Sequence, residues 1–153
     1  MLKRRADGGF DLHLADDRRE VLTMLLRDVQ ARIDQAPDDP DLIRLRPPAY
    51  LEDPDADAAY QLLAGEELRT SHQAAIASVI ESLGRDRLSE ADLWVWIQAL
   101  NSVRLVVGTR LDISEDDHGP SLRSLTDPED RSLWAVYDFT TGLQHDIVAA
   151  LSS

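Results

Sequence analysis

Arg104 is the side chain whose chemistry most needs explaining. It lies in Ala99-Leu100-Asn101-Ser102-Val103-Arg104-Leu105-Val106-Val107-Gly108-Thr109-Arg110-Leu111, a run that is otherwise largely apolar. On a helix turning by roughly 100° per residue, Arg104 projects about 20° from Leu93, between Leu111 and Ile97. Asn101 falls about 60° away, with Gly108 between the two. A guanidinium on such a face is costly unless it is paired and hydrogen-bonded. One reading is a structural ion pair, with Asp112 or an acidic residue of 52–57 as counter-charge. The other is a site for an anion or a partner, formed by Asn101, Arg104 and Arg110 with Arg46 and Tyr50 from the upstream segment. The structural reading carries more weight.

The remaining reactive groups make weaker constellations. His72 sits between Leu68 and Ile76 on an apolar stripe, which suits a hydrogen-bonded core histidine better than a general base. Asp53-Pro54-Asp55-Ala56-Asp57 opens like a calcium loop, but Ala58 stands where glycine is required and Ala64 where glutamate is. It reads as a helix start rich in carboxylates. Glu115-Asp116-Asp117-His118 reads as a solvated acidic loop. There is no Gly-x-Ser-x-Gly. Asp7-Gly8-Gly9-Phe10 lacks the Lys-Ser/Thr ending of a phosphate loop. Trp94 and Trp96 project about 160° apart, so they form no common stacking platform; core packing is the better reading, with one of them at an interface as the alternative. No catalytic set can be assembled, and no enzyme activity, cofactor or metal is expected.

Composition narrows the classes further. The chain has 153 residues, 43% of them hydrophobic, which fits a single helical domain over 1–153 with a real core. Cysteine is absent, which removes disulfides and thiol chemistry. Sixteen basic residues face 29 acidic ones, and the net charge of −13 opposes direct nucleic-acid binding. Residues 53–70 carry −4 and residues 112–153 carry −7, around a neutral stretch at 71–111. No apolar run approaches a membrane span, and nothing apolar follows Lys3-Arg4-Arg5 as in a signal peptide. A cytoplasmic protein is expected.

The elements that must position these residues follow from periodicity. Phe10, Leu12 and Leu14 alternate with polar residues after Asp7-Gly8-Gly9, which predicts a short hairpin of 2–6 with 10–14. A helix starting near a capping Asp16 or Asp17 carries Val21, Leu22, Leu25, Leu26, Val29 and Ile33 on one stripe and ends before Pro37. Residues 36–54 hold five of the seven prolines and read as a strap across the bundle, fixed by Arg46 or Tyr50. Asp53-Pro54 starts the next helix, with an interruption expected at Gly65. Ser89 and Asp92 form a capping box for a helix apolar nearly all round, from about 90 to 111. An acidic loop at 112–125 leads to a last helix capped by Thr126 or Asp127. The sum is an all-α bundle of about five helices around a buried central helix, with a short N-terminal hairpin.

Two blocks carry a family resemblance: Arg46-Pro47-Pro48-Ala49-Tyr50 with Asp53-Pro54, and Leu100-Asn101-Ser102-Val103-Arg104-Leu105-Val106-Val107-Gly108-Thr109-Arg110-Leu111. From about residue 10 to 150 the chain resembles the actinobacterial "domain of unknown function twenty-seventeen" proteins. Ser102 departs from the family's usual Asp. The resemblance implies a small, helical, cytoplasmic protein without established activity, in a family whose members include stress-linked transcriptional regulators acting through protein partners. Regulation that depends on a cysteine pair does not carry over.

The expectation is therefore a non-enzymatic regulatory protein that binds another protein. Its acidic flanks suit a basic partner, for example a transcription factor or sigma factor. The alternative is a small-ligand or anion-binding protein, or an enzyme, using a polar site around Arg104. Oligomeric state is left open.

Overall fold

A computed structural model describes residues 2–45, 52–111 and 126–153. Arg46, Tyr50, the rest of 46–51 and the acidic loop 112–125 lie outside the described residues. The described part is all-α with a small sheet at its start. Strands β1 (Leu2–Arg4) and β2 (Phe10–Leu12) pair antiparallel, with Leu2 opposite Leu12 and Arg4 opposite Phe10. Gly8, at φ 91°, makes the turn that a side chain would resist. A third strand, β3 (Arg87–Leu88), pairs with β2 and was not anticipated, because two residues leave no periodicity to read. It brings Leu88 beside Phe10, so the hairpin leans on the bundle instead of standing alone in water.

Helix α1 runs Asp16–Gln35. Its N-cap is Ala15, without a side-chain cap, so neither Asp16 nor Asp17 caps it. Both carboxylates lie inside the first turn, where the helix dipole favours them. A 3-10 helix, Pro40–Leu45, follows, with Leu42 and Leu45 buried. This is the described part of the expected strap, and it packs across the central helix. Helix α2 runs Pro54–Ser82 without a break at Gly65, so the expected interruption is absent. A single glycine costs only about 1 kcal/mol in a helix. Asp53 caps α2 by accepting from the Ala56 amide.

Helix α3, Glu90–Arg110, begins with the expected capping box: Asp92 N–H donates to Ser89 Oγ (3.0 Å), and Ser89 N–H to Asp92 Oδ2 (2.8 Å). It packs against α1, α2, the 3-10 helix and α4 (Pro128–Ser152), and is the centre of the bundle. Asp127 caps α4. Leu93, Trp96, Leu100 and Val103 of α3 are fully enclosed, meeting Leu22 and Leu26 of α1, Ile76 and Val79 of α2, and Leu143 and Ile147 of α4 in one core. Trp96 Nε1–H donates to Ser82 Oγ at 2.8 Å, and the Ser82 hydroxyl donates in turn to Val79 O at 3.1 Å, so the buried indole N–H and the hydroxyl are both satisfied. Trp94 corrects the expectation of core packing, since it is 57% exposed. Among the described residues, no helix is long and apolar enough to cross a membrane.

Removing the Ser89 hydroxyl strands the Asp92 amide at the start of the most enclosed helix. Ser89→Ala should lower unfolding free energy by about 1 kcal/mol, read from urea titrations. An unchanged urea midpoint would show that the box adds nothing.

Candidate functional site

The residues singled out by sequence do not converge. Arg104, in the C-terminal half of α3, faces α4. Its Nη1–H donates to Gln144 Oε1 at 2.6 Å, and its guanidinium lies 5.4 Å from the centre of the Tyr137 ring. Nη2 reaches Tyr137 Oη only at 3.5 Å, and the buried Nε has no partner. Gln144 in turn donates to Ile97 O at 3.5 Å. The charge is thus met by an amide and an aromatic face. Among the described residues no carboxylate pairs with Arg104, and those of 52–57 do not reach it. Asp112 lies outside the described residues. The half-buried position explains how the helix tolerates this: the guanidinium keeps some water while its stem packs.

Asn101 turns instead towards α2 and the 3-10 helix, on the adjacent face of α3. Arg110, at the end of α3, is exposed and pairs with Glu129 in the first turn of α4. Arg46 and Tyr50 lie outside the described residues, as do Glu115, Asp116, Asp117 and His118. Gly108 has a definite role in this arrangement. A Cβ there would stand 3.2 Å from Arg44 Nη1 and 3.6 Å from Tyr137, so the missing side chain lets Arg44 lie across α3.

Two hollows border the 3-10 helix among the described residues. The first, about 580 Å³, lies between the end of α1, the 3-10 helix and the N-terminal half of α2. Ile33, Leu42, Leu45 and Leu68 give it an apolar floor, and Asp38 and Glu66 stand on its rim. Glu66 pairs with Arg69 at 2.9 Å. Leu62 overhangs the hollow while 85% exposed, an unusual state for a large apolar side chain. The second hollow, about 340 Å³, lies between the 3-10 helix, α2 and α3 and is lined by Arg44, Asn101 and Gln98 among others. Neither includes Arg104. The sequence reading missed Arg44, Gln98 and Leu62. Leu62 was legible only as one more apolar helix residue, and Arg44 as one more charge in the strap.

His72 borders both hollows with Leu45 and Leu68. Arg44 and Tyr60 share the smaller hollow with it, and Asp38, Glu66 and Arg69 the larger. Partial burial pushes its pKa below the ordinary 6.5.

The chain was compared with known proteins. The family model "Domain of unknown function (DUF2017)" matches residues 1–151. A Mycobacterium leprae (strain TN) protein named "putative oxidative stress regulator AosR" is 32% identical over 154 aligned positions, covering 88% of this chain and 67% of the relative. No solved structure matches.

Two outcomes follow from these environments. Arg104→Met strands no carboxylate among the described residues and keeps the apolar stem, so it should fold with a change under about 1.5 kcal/mol. Tyr137→Ala, which removes the ring beneath it, should cost about 2–3 kcal/mol. Urea titration of the two variants checks the order. As for His72, the folded state takes up its proton less readily than the unfolded chain does. Its contribution is complete above the ordinary pKa and is lost as pH falls below it. His72→Gln should flatten the decline in stability as pH falls below the ordinary 6.5, and an unaltered slope would assign the decline to other groups.

Proposed function

This chain belongs to the DUF2017 family, and from that premise we propose that it is a regulatory protein, without enzymatic activity of its own, that acts in the cytoplasm by binding a basic protein partner. A transcription factor or sigma factor is the kind of partner meant. The regulator-like name of the Mycobacterium leprae relative supports the regulatory part. This chain has no cysteine, so its regulation does not run through its own thiols.

The observation that carries the reading is the Leu62 cleft. Exposed apolar surface beside a concave apolar floor is the usual mark of a docking site. Its surroundings are acidic: Asp53, Asp55 and Asp57 precede it on α2 or at its cap, and Glu66, Glu67 and Asp38 flank it. An amphipathic helix with apolar residues on one face and Lys or Arg at its margins matches both features. Charge would speed the encounter and set orientation, and burial of Leu62 would supply affinity.

The test is capture of partners from cytoplasmic extract on the immobilised chain, with identification by mass spectrometry. Capture of a basic protein should weaken steeply with salt. Leu62→Arg should lower affinity for that protein by about tenfold or more, with the melting curve unchanged because the side chain is already in water. Capture indifferent to both salt and Leu62→Arg would count against the reading.

A further inference from the structure

The smaller hollow differs from the acidic cleft beside it. Arg44 is the formal charge among its described lining residues at neutral pH, since the partly buried His72 favours its neutral form. Arg44 is itself half-buried. Arg5, Arg19, Arg32, Arg69, Arg85 and Arg110 each pair with a carboxylate, in a chain with an acidic excess of thirteen. Arg44 makes no such pair among the described residues, although acids are plentiful. It is held by shape: its guanidinium lies across the gap left by Gly108. Gln98 and Asn101 of α3 add two carboxamides on the same wall, one turn apart, and Leu45, Leu68 and Leu105 complete it with apolar surface.

A half-buried guanidinium that meets no carboxylate among the described residues, in a hollow with branched apolar walls, is chemically incomplete. Its planar fork matches a carboxylate. We propose that this hollow binds a small organic monocarboxylate with a compact apolar body. The carboxylate pairs with Arg44, and the Asn101 and Gln98 carboxamides, about 10 Å and 15 Å from Gly108 towards the start of α3, line the end of the hollow that receives the ligand's body. The apolar body fills the space against Leu45, Leu68 and Leu105. One arginine balances one negative charge, and about 340 Å³ is at the lower end of the range for small-molecule sites. The site goes beyond partner docking and is tested without any partner.

The probe is benzoate, titrated into the full chain by calorimetry and by NMR of the side-chain amides. Saturable binding should shift the Gln98 and Asn101 amide signals. Arg44→Gln should weaken it about tenfold or more, the loss expected for a charged hydrogen bond. Asn101→Leu changes an exposed residue and should also weaken binding with an unaltered melting curve, which keeps the question answerable if Arg44→Gln fails to fold. Benzylamine, with the opposite charge on a similar body, should not bind. No saturable binding of benzoate, equal binding by benzylamine, or full affinity in a folded Arg44→Gln or Asn101→Leu would each overturn the proposal. Tighter binding of inorganic phosphate than of benzoate would overturn it too, because it would mark a bare anion site.

Discussion

A helix that is apolar round most of its girth cannot rest on one neighbour. Helix α3 imposes that condition on the rest of the molecule. Helix α4 covers one flank, α1 and α2 another, and the 3-10 helix closes what remains. The small sheet rests on the same core through Phe10, Leu12 and Leu88. Between its ends, α3 leaves Trp94, Gln98 and Asn101 exposed, where the surrounding elements do not close over it.

Seen this way, Arg104 is a compromise within the α3–α4 contact. Two antiparallel helices meet there through an amide and an aromatic ring, and the charge stays close enough to the surface to remain partly hydrated. The adjoining strap follows the same logic of close approach. Gly108 is small so that Arg44 can pass, and that passage puts a cation over a hollow instead of in bulk water. The larger cleft arises because the first half of α2 extends past the core. Its burial becomes continuous only near Ala75 and Ile76.

Much of this was legible in the sequence, for identifiable reasons. Ser89 with Asp92, and Asp53 with Pro54, carry helix starts in local chemistry, and both appear as read. The all-round apolar pattern of 93–107 marked the central helix without any knowledge of its neighbours. The family resemblance likewise rested on contiguous residues. What failed needed distance information. Leu62 and Leu68 are the same residue type on one helix, yet one overhangs solvent and the other lines a floor. Periodicity located the face of Arg104, but the choice between a carboxylate and Gln144 depended on the register of α4, forty residues away. Asn101 and Arg104 are neighbours in sequence and face different helices. Strand β3 exists because β2 offers it an edge.

The two tryptophans near the start of α3 give the molecule a built-in optical gauge. Trp96 is sealed in the core with its indole hydrogen-bonded, while Trp94, two residues along, meets water. One fluorophore is therefore open to a dissolved quencher such as iodide and the other is shielded from it. With the half-buried Trp134 of α4 replaced, the fraction of emission that resists quenching reports how completely the central helix stays enclosed.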